Sequence, residues 1–303
     1  MNLRNRHAMQ ILREGHANFL HRAADYWALT KPEVNLLVLV TTLVGFQLAS
    51  RGPLHVGKLI HTLMGTLLVA SGTATLNQYL ERESDALMRR TARRPLPAGK
   101  LRAGEALGLG VSLAAIGGAE LWWGANPLAS VLALATLVTY LLVYTPLKKR
   151  TALCTLVGAF PGAMPPLIGW AAAGNGFDRE AWVIYAILFL WQFPHFLAIA
   201  WMYRDDYHRA GLKMLPSDDP RGWYTMRGIL GYSVALVPVS LVPAFMGRAG
   251  MAYLAGASVL GIGLVYAGLR LAVVRSNSLA RGMVLASIAY LQVLLGLLMV
   301  DKV

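Results

Sequence analysis

Cysteine is almost missing from this chain: Cys154 is the single one among 303 residues. That excludes an internal disulfide framework and any metal site built from cysteines alone. Charge is scarce too. Asp, Glu, Lys and Arg make up 14% of the residues against 56% hydrophobic, where a soluble domain is about a quarter charged. With a mean hydropathy of +0.50, this is the composition of a polytopic membrane protein. Within the charged minority the acids are short: 15 Asp and Glu face 28 Lys and Arg, for a formal charge of +13. Such an excess could mark a nucleic-acid binder. The basic residues gather in alternate loops, however, as topology control requires, so no nucleic acid is expected and the lipid bilayer is the partner. Residues 1–26 lack a continuous apolar core and carry Arg4, Arg6, Arg13 and Arg22. This argues against a secretory signal peptide and predicts a cytoplasmic amphipathic tail, 1–30, ahead of a transmembrane domain, 31–303. The shortness of that tail favours a bacterial inner membrane over a mitochondrial one.

What is present in abundance is apolar sequence. Nine segments are long enough to span, at about 33–50, 59–81, 103–123, 127–147, 152–173, 181–203, 226–247, 250–270 and 282–300. With the amino terminus inside, the basic residues divide 23 inside to five outside, and one missed helix would invert every later loop. The expectation is an all-α bundle of nine transmembrane helices, N-in and C-out, with no separable soluble domain. Glycines such as Gly45, Gly65, Gly72, Gly110 and Gly117 permit close helix approach. Pro161, Pro165 and Pro166 in the fifth span, and Pro238 and Pro243 in the seventh, should bend or break their helices.

The polar residues concentrate in residues 77–100, NQYLERESDALMRRTARRPLPAGK. If the second span continues as helix, Asn77, Glu81 and Asp85 recur every four residues and share one face. Two carboxylates at that spacing repel one another and call for a counter-ion. Magnesium suits them, since it takes hard oxygen ligands and shares its shell with substrate phosphate. Arg89, Arg90, Arg93, Arg94 and Lys100 follow, the natural partners of phosphate oxygens. Pro95 and Pro97 should hold that basic segment in an extended loop able to fold back over the carboxylates. The simpler alternative is that the arginines only fix topology and the acids are solvated.

A second polar cluster, residues 191–216, WQFPHFLAIAWMYRDDYHRAGLKMLP, lies at the same side after span six. Asp205 and Asp206 are adjacent, so on a helix they diverge by about 100° and cannot chelate one ion as an i,i+4 pair would. Either could complete a second metal shell or form an ion pair with Arg204 or Arg209. His195 lies about two turns inside the span, a depth at which a histidine is a functional suspect. Tyr144 and Lys148, at the cytoplasmic end of span four, could meet phosphate or serve topology alone.

These motifs are recognisable. N-x-x-x-acid-x-x-x-D followed by R-T-x-x-R-P-L-P-x-G, the second acidic loop and nine spans resemble the intramembrane prenyltransferase superfamily, which includes the 4-hydroxybenzoate polyprenyltransferases. Residues 77–99, the YTPLKKRT at 144–151 and the WQFPHF with D-Y-x-x-A-G-x-x-M-L-P point to its protohaem IX farnesyltransferase branch. The resemblance covers about residues 26–300. It implies a helical bundle around a central cavity open laterally to the bilayer, in which magnesium holds farnesyl diphosphate at a cytoplasm-facing site. The farnesyl group passes to a vinyl group of haem B, with capture of water. By the same resemblance Asn77, Glu81 and Asp85 hold the first metal, with Asp205 and Asp206 the candidates for a second. Arg89, Arg93, Arg94, Tyr144 and Lys148 meet the diphosphate, Asp85 and His195 are catalytic candidates, and a haem A synthase or an oxidase assembly factor is the candidate recipient of the product. Two departures stand out. Glu81 replaces the commoner aspartate, and the second D-x-x-x-D is not kept, its positions falling on Tyr203 and Tyr207.

The rival readings are weaker. A b-type cytochrome needs histidine pairs within the spans, and of seven histidines only His61 and His195 are embedded, near opposite faces. A transporter would place its charges near mid-membrane on paired broken helices. A quinone-type prenyltransferase would share the first motif and differ in acceptor.

Overall fold

Why the second apolar run does not stop at the membrane surface is the first thing the structure answers. The computed structural model describes residues 21–174 and 176–303. In it α1 is Pro32–Ala49 and α2 is Val56–Leu87. At 1.5 Å per residue α2 is about 48 Å long, well beyond a hydrocarbon core of about 30 Å. Its last turns therefore project past the apolar layer, carrying Glu81 and Asp85 on unbroken helix. Of the expected tail, residues 1–20 lie outside the described residues. Residues 21–30 are helical, and Leu29 packs with Leu96, Leu101 and Ala106.

The remaining elements are α3 (Ala103–Gly124), α4 (Pro127–Val138, continued to Leu147), α5 (Cys154–Gly162), α6 (Pro165–Ala172), α7 (Arg179–Met202), α8 (Arg204–Arg209), α9 (Trp223–Phe245), α10 (Met251–Val274) and α11 (Asn277–Val300). Side chains close several helix starts: Asn126 accepts from Ala129 N, Asp178 from Ala181 N and Ser276 from Leu279 N. Among the described residues, eight helices are long and apolar enough to cross a membrane. The segment expected as the fifth span is instead a broken pair, α5 and α6, of nine and eight residues. Proline explains the break: Pro165 and Pro166 lack the N–H that an unbroken helix would need and open α6 instead, while Pro161 sits within α5. Pro238 and Pro243 act differently, since α9 runs through both.

Packing is close where glycines face backbone. A Cβ at Gly72 would lie 2.7 Å from Gly110 O across the α2–α3 interface. A Cβ at Gly45 would overlap the Pro166 carbonyl oxygen, and one at Gly169 would overlap that of Thr42. The short helix α6 is thus seated directly on α1. The largest core joins α7 to α9, α10 and α11 around Ile187, Trp191, Ile229, Tyr253 and Tyr290. Large apolar side chains such as Leu142, Val259, Ile262 and Leu285 face outward, as a lipid-facing surface requires.

Gly45→Ala should cost about 1–3 kcal/mol by overpacking the α1–α6 contact. Gly104→Ala, with open space around its Cβ, should leave the melting temperature in detergent unchanged. Equal thermal denaturation of the two variants would contradict this packing.

Candidate active site

A carboxylate removed from water must find a positive partner or become costly, and α2 carries two of them, Glu81 partly buried and Asp85 fully buried. Asn77 is 2% exposed and Asp85 1% exposed, and Glu81 lies between them on the same face. Each meets a cation delivered by a different part of the chain. Arg94 Nη1 lies 2.8 Å from Asp85 Oδ2, Lys148 Nζ lies 2.7 Å from Glu81 Oε1, and Lys31 Nζ donates to Asn77 Oδ1 at 3.5 Å.

Local structure makes each meeting possible. Residues 88–100 fold back over α2 as expected, but as a run of tight turns rather than an extended strand. Thr91 Oγ1 donates to Asp85 O at 2.9 Å and Arg94 N to Thr91 O at 2.9 Å, which brings Arg94 round to Asp85. The end of α4 widens into a π-turn over Thr139–Tyr144, a distortion common at functional sites. Thr145 Oγ1 donates to Tyr140 O at 2.9 Å, so it can only accept from Asn77 Nδ2, at 3.3 Å. That fixes the Asn77 amide with its oxygen toward Lys31. Tyr144 lies under the Lys148 ammonium, 4.5 Å from ring centroid to Nζ.

Lys31 is held in the left-handed region, φ +50°, immediately before Pro32. That conformation is costly for a side chain with a Cβ, and strain of this kind gathers at functional sites. Burial, reinforced by the charges of Arg94 and Lys148, pulls its ammonium down to about 7 from an ordinary 10.5.

The second cluster closes over the first. Asp206 is buried and accepts from Arg90 N at 3.2 Å and from the Arg209 guanidinium. Arg90 lies over the Tyr203 ring at 4.8 Å, Arg209 Nε donates to Leu87 O at 3.2 Å, and Lys213 N donates to Lys148 O at 2.6 Å. Asp205 points outward and is exposed, the divergence expected of adjacent positions. Arg89 and Arg93 are likewise exposed and take no part in these ion pairs among the described residues. Among the described residues no three His, Cys, Asp or Glu side chains gather as a ready metal cage. The convergent oxygen donors are Asn77, Glu81 and Asp85, each now facing a cation. His195, on α7, is stacked on Trp191 with centroids 4.9 Å apart and meets Ser287 Oγ at 2.8 Å. The other embedded histidine, His61, pairs with Glu120 at 2.7 Å toward the opposite end of α2. A cavity of about 210 Å³ near Arg51, Asp178 and Arg248 also opens at that opposite end and contains none of the expected site residues.

Sequence reasoning missed Lys31, Thr145 and Ser287 as members of these networks, while the ion pair it allowed between the second acidic pair and Arg209 is present at Asp206. The Lys-Pro at the start of the first span is a visible signal for Lys31, but it reads equally as topology. Nothing in the sequence marks Ser287.

The profile of the UbiA prenyltransferase family matches residues 38–291. A curated relative from Solibacter usitatus, named protoheme IX farnesyltransferase, is 50% identical, covering 92% of this chain and 98% of its own. Among solved structures, a digeranylgeranylglyceryl phosphate synthase superposes with a TM-score of 0.76 at 17% identity, covering 93% of this chain and 98% of its own. A UbiA homologue from Archaeoglobus fulgidus bound to DMAPP and Mg2+ superposes with a TM-score of 0.64 at 15% identity, covering 90% and 99%.

Arg94→Ala strands the buried Asp85 and should destabilise the protein by about 3 kcal/mol. Arg89→Ala, on the exposed side, should stay within about 0.5 kcal/mol. Thermal denaturation in detergent separates the two. The Lys31 ammonium binds its proton more weakly in the folded state than in the unfolded one. Stability should therefore rise with pH between about 7 and 10.5, by up to about 1.4 kcal/mol per pH unit. Lys31→Met should remove that part of the rise.

Proposed function

The chain belongs to the UbiA prenyltransferase family, and from that premise we propose that it transfers the farnesyl group of farnesyl diphosphate to a vinyl group of haem B. Water is added and haem O is the product. The observation that carries this reading is the set of three cations on Asn77, Glu81 and Asp85, supported by the 50% identity over 92% of the chain with a protoheme IX farnesyltransferase. Hard oxygen donors facing ammonium and guanidinium groups suit a site where magnesium and diphosphate enter together. Asn77, Glu81 and Asp85 would hold magnesium. Of the second acidic pair, Asp206 is the member that faces the site. Once bound, magnesium neutralises charge on the diphosphate.

The chain's own residues do the rest. Arg94 and Lys148 turn from carboxylates, and Lys31 from the Asn77 amide oxygen, to phosphate oxygens and stabilise the departing diphosphate, a contribution that grows as charge develops. Arg89 and Arg93 extend that positive surface outward, and Tyr144 holds Lys148 in line. The aromatic face of Tyr203 shelters the allylic cation, which the vinyl group attacks. His195 positions the haem or the water that captures the porphyrin-side cation, after which that water loses a proton. The topology proposed with this reading has nine crossings, N-in and C-out, with α5–α6 as the fifth. The 23 to five division of basic residues supports a site on the cytoplasmic side of a bacterial inner membrane. A haem A synthase or an oxidase assembly factor is the proposed recipient of the product.

Purified protein given haem B, farnesyl diphosphate and magnesium should add the mass of one farnesyl and one water to the haem, and lose that activity with EDTA. Asp85→Asn should lower kcat/KM by about 10²–10³-fold, the scale of a lost electrostatic contact in a transition state. Prenylation of 4-hydroxybenzoate instead of haem would overturn the choice of acceptor and keep the diphosphate site.

A further inference from the structure

A hydroxyl group has one hydrogen, and Ser287 has already committed it. Ser287 Oγ donates to Val284 O, one turn back on α11, at 2.7 Å, a common use of serine within a helix. Its other contact, His195 Nδ1 at 2.8 Å, must therefore be one in which Oγ accepts and Nδ1 carries the hydrogen. The neutral ring then bears its lone pair on Nε2, which forms no hydrogen bond among the described residues.

The same serine fixes the ring plane. Trp191 Nε1 donates to Ser287 O at 2.6 Å, and His195 lies parallel to that indole, 4.9 Å between centroids and 20° between planes. Ser287 is 0% exposed, so water does not compete for either contact. His195 itself is only half-buried. It lies seven residues before Met202, the last residue of α7, about 10 Å in from the helix end at 1.5 Å per residue. A fixed tautomer, a ring clamped by stacking and a free Nε2 are what a histidine needs to bind a metal through that atom. The hydrogen-bond acceptor on the opposite nitrogen is its usual support.

We infer that His195 ligates the iron of the haem substrate through Nε2 and that Ser287 is the positioning residue that makes it do so, an assignment resting on the haem farnesylation reading above. One axial bond to iron sets the plane of the macrocycle. The vinyl edge is thereby brought to a defined height below the diphosphate end.

The test is an absorption titration of full-length protein in detergent with ferric haem B, without farnesyl diphosphate or magnesium. Haem O synthesis is measured on the same preparation. Wild type should give a histidine-ligated Soret spectrum that His195→Ala abolishes and added imidazole restores. Ser287→Ala should weaken haem binding about 10–100-fold, the usual effect of losing such a support, and Ser287→Thr should recover it. A wild-type spectrum retained in His195→Ala, or equal haem affinity in Ser287→Ala and wild type, would overturn the inference while haem O synthesis by wild type would leave the enzymatic reading intact. Iron ligation as described, without haem O synthesis, would keep the ligand assignment and overturn the enzymatic reading instead. If Ser287→Ala does not fold, His195→Ala with and without imidazole still decides.

Discussion

Neutralising the buried Asp85 and the partly buried Glu81 on one helix is the constraint from which the active end of this molecule follows. Asp85, at 1% exposure, cannot remain ionised there alone. The chain answers with Arg94 on Asp85, Lys148 on Glu81 and Lys31 on the Asn77 amide oxygen, from three separated segments. Each drags its own backbone into place. Tight turns return Arg94, a π-turn precedes Lys148, and a left-handed residue begins the first long helix. The second loop is then tied to the end of α2 and the loop after it through Asp206 and Arg209, and to the Lys148 segment through Lys213. Ion pairs set the topology of the loops here, rather than decorating a surface whose shape packing had already fixed.

The same arrangement accounts for the proposed chemistry. A cation that rests on a carboxylate is already positioned, and already desolvated in part, for a phosphate oxygen arriving beside it. The cost of organising the site is met in folding, before substrate binds, which is the condition for effective electrostatic catalysis. Exposed Arg89 and Arg93 lack that preparation and, in the proposed reaction, would act at longer range.

Much of this was legible in the amino-acid order, because the strongest signals are periodic. Asn77, Glu81 and Asp85 at spacing four, on an apolar run that continues, define a face whether or not its partners are known. Adjacent Asp205 and Asp206 had to diverge, and they do. Prolines at 161, 165 and 166 indicated a break in the fifth segment, which the structure resolves into two helices of nine and eight residues. What was not legible depends on contacts between residues far apart in sequence. Lys31 reaches Asn77 across 46 positions and His195 reaches Ser287 across 92; no local pattern encodes either. The π-turn was hidden for another reason, since TYLLVY reads as ordinary apolar helix.

The length of α2 has a consequence for how the two products separate. Its last turns stand beyond the apolar layer, so the bond that breaks in the proposed reaction lies at the boundary between lipid and water. Diphosphate, once released, belongs to the aqueous phase. A porphyrin that has gained a farnesyl tail belongs more firmly than before to the bilayer. Partition between two phases then opposes the back reaction without any moving part in the protein. A helix a few turns longer than the membrane is thick would serve as a one-way valve.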